Sequence, residues 1–272
     1  MKDTLVELIL LRLKQERTRL VDQFRESKKE VGVRYFFIND LLPADLAEKI
    51  YNVFPSTGDM RLMNSFREKK YTSKKYEQHD PLLKDITFAL QHPEIVSEIE
   101  QITGISNQLP DKTLYAGGLS IMGAGHFLGP HIDNSHDAER RNYRTLNLLY
   151  YVSPGWGSDC GGNLELWNTA VTDQVEIVSG FNRLVVMETN PWSWHSVNKV
   201  KVDRLRCCVS NYYFSPQSPI GREYYNVTSF SARPEQRIRR IVAWVDGKTR
   251  QAVRWLVPKG LGKKDIFEGP VK

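Results

Sequence analysis

Six short runs rich in β-branched and aromatic residues crowd the stretch between Thr113 and Phe214: "LYAGGLSIM", "RTLNLLYYV", "GNLELWN", "QVEIVS", "NRLVVMET" and "LRCCVSNYYF". Gly, Pro, Asn and Asp separate them, and no long helical pattern lies between. Such a segment closes its sheet into a sandwich or a barrel.

The flanks follow a different period. Residues 3–26 place Leu5, Leu8, Ile9, Leu20, Val21 and Phe24 at helical spacing among charges, the pattern of an amphipathic helix packed on one face. "VRYFFI" reads as a strand, Asp40 to Pro43 as a turn, and Pro43 suits the first turn of a helix running through Tyr51. Two short helices are expected from Pro81 and from Pro93, each with proline near its start. "SFREKKYTSKKYEQHDP" reads as a basic loop or irregular strand. After Pro216 a loop is expected to about Pro234, then two short helices around Asp246-Gly247. The domain plan is therefore an N-terminal helix (1–30), a β-core domain (31–230, core about 113–214) and a basic helical extension (231–272).

The net charge of +6 is confined to that extension. From Ser231 on there are 11 Lys/Arg against 4 Asp/Glu, which leaves 27 against 28 in the body. A basic tail can meet acidic partners or nucleic acid. A solvated helical face explains it more simply, so nucleic acid is not the expected partner. No apolar run approaches the roughly 20 residues of a membrane span. "LVELILLRL" is short and broken by Glu7, so no membrane partner and no signal peptide are expected. Cys160, Cys207 and Cys208 form no CxxC; they read as reduced thiols, which fits a cytoplasmic location.

Chemistry enters at "HFLGPHIDNSHDAERR", which holds His126, His131 and His136, half of the chain's six histidines. On a strand, residues two apart share a face, so His131-x-Asp133 sets an imidazole beside a carboxylate. The β region has one later histidine, His195, lying 62 residues beyond Asp133. Two histidines and one carboxylate with open positions is a non-haem Fe(II) arrangement, although zinc accepts the same donors. Arg206 follows in "RLRCCVSNYYF", on the strand face of Cys208, Ser210 and Tyr212. An arginine on a buried face needs an anionic partner, and its guanidinium fork matches a carboxylate. A structural Glu could serve, but a carboxylate-bearing cosubstrate explains the metal and the arginine together.

These pieces, in the order "HID", "LLYYVSPGW", "CGGNLELWN", "FNRLVVMETNPWSWHSV" and "RLRCCVSNYYF", resemble the 2-oxoglutarate/Fe(II)-dependent dioxygenase superfamily, in particular its prolyl 4-hydroxylase-like branch. The resemblance implies a double-stranded β-helix (a jelly-roll, cupin-like core) with N-terminal helices. It implies that His131, Asp133 and His195 bind Fe(II), with 2-oxoglutarate and O2 as cosubstrates and ascorbate as an optional reductant. It assigns the distal carboxylate of 2-oxoglutarate to Arg206, with Arg204 as competitor, Tyr151 assisting and Asn147 within reach. The implied activity couples oxidative decarboxylation of 2-oxoglutarate, releasing succinate and CO2, to hydroxylation of an unactivated C–H bond. Asp133 favours hydroxylation over halogenation, while desaturation and cyclisation would use the same residues. The substrate would be peptidyl, an amino acid or another small molecule, and the terminal helices could support a homodimer.

His126 and His136 read as structural, Gly161-Gly162 as a tight turn or close strand approach, and Trp192 and Trp194 as packing. "NSHDAERR" is expected at the rim where substrate enters. Three other functions remain open: a zinc hydrolase, a nonenzymatic metal-binding β-barrel, and an RNA-, ribosome- or acidic-carrier-bound module. The first lacks an evident general base.

Overall fold

The computed structural model describes residues 1–236 apart from Ala116, together with 238–243, 245, 246 and 249. Five helices precede the core: α1 (Lys2–Glu26), α2 (Lys28–Val31), α3 (Ala44–Asn52), α4 (Pro81–Ala89) and α5 (Pro93–Thr103). The strands are β1 (Tyr35–Ile38), β2 (Arg61–Asn64), β3 (Glu68–Thr72), β4 (Leu109–Pro110), β5 (Gly118–Met122), β6 (Phe127–Ile132), β7 (Tyr143–Tyr151), β8 (Leu164–Trp167), β9 (Gln174–Ile177), β10 (Arg183–Glu188), β11 (His195–Val197), β12 (Arg206–Ser215) and β13 (Ser229–Phe230).

All pairings are antiparallel. The sheet runs β1-β10-β7-β12-β5-β3-β6-β11-β8-β9 and curls into a half-barrel. β3 is the hinge of that curl: Tyr71 and Thr72 pair with β5, while Glu68 and Lys69 pair with β6. The larger wall is buried on both faces, and strand alternation explains how. Leu146, Leu148 and Tyr150 of β7 join Cys207, Val209 and Tyr213 of β12 in the core beneath the helices. The intervening Asn147, Leu149 and Tyr151, with Arg206, Cys208, Ser210 and Tyr212, line a cavity on the other side. The adjacent Cys207 and Cys208 thus lie on opposite faces, and all three cysteines are free.

α1 buries Leu5, Ile9, Leu13, Leu20 and Phe24 in the helical layer. Arg17 forks onto the buried Glu98 of α5 through Nε (2.7 Å) and Nη2 (2.6 Å). α4 and α5 start as their prolines predict: Asp80 accepts a bond from Leu82 N (2.8 Å), and Pro81 and Pro93 fill first-turn positions whose N–H would be unsatisfied anyway.

Two readings change. The basic "SFREKKYTSKKYEQHDP" contributes a regular strand, β3, hydrogen-bonded to its neighbour β2. The segment after Pro216 is not wholly loop, because β13 adds itself to β6 at Ile132 and His131. Of the two helices expected in the tail, residues 238–243 are helical and the rest of that expectation falls largely outside the described residues. No helix among the described residues is long and apolar enough to cross a membrane.

Candidate active site

The two halves of the metal site meet through strand register. In the β6–β11 pairing His195 lies directly opposite His131, and their rings stand 4.1 Å apart, centroid to centroid. Asp133 follows one residue beyond the end of β6 and returns to the same side. His131 Nε2 is 3.6 Å from Asp133 Oδ1, and His195 Nε2 is 3.7 Å from Asp133 Oδ2. One donor atom from each of the three lies within 4.8 Å of the others.

Backbone carbonyls settle the tautomers. His131 Nδ1 lies 3.0 Å from the Gly129 carbonyl and His195 Nδ1 lies 3.0 Å from that of Ser193. A carbonyl can only accept, so each Nδ1 carries a proton and Nε2 is the nitrogen of each ring that faces the shared point. Burial and the neighbouring His131, opposed by Asp133, lower the His195 pKa to about 4, so this imidazole is neutral near pH 7. Burial alone would raise the Asp133 carboxyl. Arg144 and the two imidazoles outweigh it and hold the group well below the ordinary carboxylate range.

Arg144 is the residue that sequence reading missed. It is the second residue of β7, is 2% exposed, and sets Nη1 3.1 Å from Asp133 Oδ2 and Nη2 2.7 Å from Asn134 Oδ1. Its guanidinium rests 4.2 Å from the Tyr212 ring centre. The Oδ2 contact is an ion pair without hydrogen-bond geometry, and Oδ2 remains a buried oxygen with no hydrogen-bonding partner.

The other expected residues separate cleanly. Arg206 (4% exposed), Tyr151 and Asn147 share a cavity of about 540 Å³ with the three metal-ligand candidates. Arg206 donates to the Gly162 carbonyl at 3.3 Å, lies 5.2 Å from the Tyr151 ring centre, and has no carboxylate partner among the described residues. Its Nε, the Tyr151 hydroxyl and Asn147 Oδ1 are all buried without hydrogen-bond partners. Arg204 stands in the turn before β12, exposed, on the Pro154 and Gly155 carbonyls and 5.5 Å from the Trp156 ring, outside the cavity.

Glycine is required beside Arg206. Gly162 has φ +68°, and a Cβ there would stand 3.2 Å from Arg206 Cδ and 2.9 Å from Val200 Cγ2. At Gly161, φ +66°, a Cβ would meet the Lys199 carbonyl at 2.1 Å. The pair therefore serves close strand approach.

The rim differs from expectation. "NSHDAERR" turns away from the cavity: Ser135 exchanges hydrogen bonds with the Asn226 backbone, and His136 packs 4.3 Å from Tyr143 and 5.8 Å from Tyr225. The mouth is lined instead by residues 73–77 and by Tyr115, Gly117 and Gly118. Phe230 of β13 stacks 5.3 Å from His131, backing the ligand from outside. Trp192 is exposed, and neither it nor Trp194 lines the cavity.

Three comparisons bear on this arrangement. Residues 117–214 match the 2OG-Fe(II) oxygenase superfamily model. A segment of 87 residues is 32% identical to the prolyl 3-hydroxylase OGFOD1 of Mus musculus, covering 30% of this chain and 16% of that protein. The chain thus spans about one sixth of the length of this curated relative. Among solved structures, a Pseudomonas putida prolyl-4-hydroxylase aligns with TM-score 0.54 at 15% identity, over 72% of this chain and 98% of that one. A Trichoplax adhaerens prolyl hydroxylase, solved with a hypoxia-inducible-factor peptide fragment, aligns with TM-score 0.52 at 20% identity, over 74% and 91%. At these identities the structural likeness speaks for the shared fold.

Proposed function

We propose that this chain, whose residues 117–214 form a 2OG-Fe(II) oxygenase superfamily domain, is a 2-oxoglutarate-dependent dioxygenase that hydroxylates an unactivated C–H bond and releases succinate and CO2. One observation carries the reading: the cavity that gathers His131, Asp133 and His195 also buries Arg206 with no carboxylate among the described residues to answer it. A buried guanidinium left unpaired is costly, and a dicarboxylate cosubstrate relieves that cost.

The donors fit Fe(II). Two imidazole Nε2 atoms and a carboxylate oxygen converge, and the orphaned Oδ2 of Asp133 is a polar atom in need of a partner. An iron held there by His131, Asp133 and His195 would supply O2 activation coupled to decarboxylation of the 2-oxo acid. Arg144 Nη1, 3.1 Å from Asp133 Oδ2, would keep that carboxylate ionised for the metal. Arg206 would fork onto the distal carboxylate of 2-oxoglutarate, the Tyr151 hydroxyl would donate to it, and Asn147 would border the cosubstrate. Leu149, Leu164 and Val197 line the same cavity and exclude water around it. The curated relative is a prolyl 3-hydroxylase, so prolyl peptides are the first substrates to try, before free amino acids and other small molecules.

Anaerobic titration of Fe(II) and 2-oxoglutarate tests the reading. The expected outcome is a weak charge-transfer band in the visible that His195→Ala abolishes. A wild-type protein that shows no band, and forms no succinate with any substrate pool, overturns it.

A further inference from the structure

We propose that the substrate carries an anionic group, a phosphate or a carboxylate, that seats on Lys74 and Lys75 at the mouth of the cavity. This rests on the oxygenase reading and names the chemistry of what enters. The titratable side chains lining the outer cavity are Arg61, Glu68, Lys70, Lys74, Lys75 and Glu77. Lys70 and Glu68 answer one another at 3.0 Å. Lys74 and Lys75 have no ion-pair partner among the described residues, and Glu77 is the one remaining acid of the rim. Arg61 has a partner of its own, so Lys74 and Lys75 against Glu77 make the surplus positive.

The two lysines are carried on a clamped segment. Ser73 N donates to the Leu119 carbonyl at 3.0 Å, and Leu119 N donates to Ser73 Oγ at 3.2 Å. Gly118 makes that approach possible, since a Cβ there would stand 2.6 Å from Ser73 Oγ. On the other side Tyr76 is buried, and its hydroxyl donates to the Leu83 carbonyl at 3.1 Å. Between these anchors Lys75 takes φ +40°, a left-handed turn that leaves both lysine side chains exposed. The backbone ordering is therefore complete before any ligand arrives, which lowers the entropy that binding must overcome. Anions are drawn from solution toward unpaired cations at a concave mouth. The metal-ligand candidates and the two lysines line one cavity and would then hold a substrate at two points.

The test uses two matched probe pairs on protein loaded with Mn(II) and 2-oxoglutarate: a blocked prolyl peptide flanked by Asp against one flanked by Asn, and glucose 6-phosphate against glucose. Calorimetry reads the dissociation constants. Within at least one pair the anionic member should bind about fivefold to tenfold tighter at low salt, the yield of two exposed charge pairs. That preference should fade at 0.5 M salt. K74Q/K75Q should abolish it, and K74E/K75E should abolish or reverse it. The pair that discriminates identifies the source of the anion. The proposal falls if neither pair discriminates, or if the preference survives in K74E/K75E. It also falls if the charge reversal weakens only 2-oxoglutarate binding, which would make the lysines a guide for the cosubstrate. The wild-type charge-transfer band is read separately, so failure of the oxygenase reading and failure of this one cannot be confused.

Discussion

Arg144 and Arg206 are both buried beside the same cavity, 2% and 4% exposed, yet their charges are treated in opposite ways. Arg144 is answered from within the chain: Asp133 takes one nitrogen, Asn134 another, and Tyr212 supports the plane. Arg206 is answered by a single carbonyl and an aromatic ring, with its Nε unsatisfied. A buried pair tolerates the loss of neither partner, whereas a buried lone charge is a standing cost that its removal relieves. The difference separates a guanidinium that the described residues satisfy from one that they leave with an open nitrogen.

Substitution should expose that difference by sign. Arg144→Met leaves Asp133 buried without its counter-charge, so the metal-free protein should lose about 3–5 kcal/mol in denaturant unfolding. Bound Mn(II) should return part of the loss, because the cation replaces the missing guanidinium. A variant as stable as wild type without metal would show that the pair carries no structural load. Arg206→Ala should weaken 2-oxoglutarate binding by roughly 2–5 kcal/mol, a factor of about 30 or more, measured by calorimetry on the Mn(II) form. Arg204→Ala, outside the cavity, should stay within about 0.5 kcal/mol of wild type. The reverse order would hand the carboxylate to Arg204. Tyr151→Phe should cost least, about 1 kcal/mol of 2-oxoglutarate affinity, the worth of one hydrogen bond. No change there would leave the Tyr151 hydroxyl without a part in the site.

Much of this site is legible in the sequence because its parts lie where strand alternation speaks. His131-x-Asp133 shares a face by period two, and Arg206, Cys208, Ser210 and Tyr212 do the same along β12. The β runs of 143–151, 183–188 and 206–215 carry enough β-branched and aromatic residues to mark themselves. Arg144 is hidden for a physical reason. An arginine at the first turn-proximal positions of a strand is ordinarily solvated, and its burial depends on Asp133 and Tyr212, partners 11 and 68 residues away. The two-residue β13 likewise has no local pattern; it exists because β6 offers it an edge at His131. The rim was misplaced by the same cause. Polar "NSHDAERR" resembles a solvated loop, but the chain returning through Tyr224, Tyr225 and Asn226 covers it.

The proposal that Arg206 seats a carboxylate is tested most directly by thermal melts of wild-type and Arg206→Met protein, each with Mn(II), with and without 2-oxoglutarate. The wild type should gain stability from 2-oxoglutarate. Arg206→Met should melt at or above the wild-type temperature without it, relieved of an unpaired buried charge, and should gain nothing when it is added. A variant that melts well below wild type and still responds to 2-oxoglutarate would contradict the account.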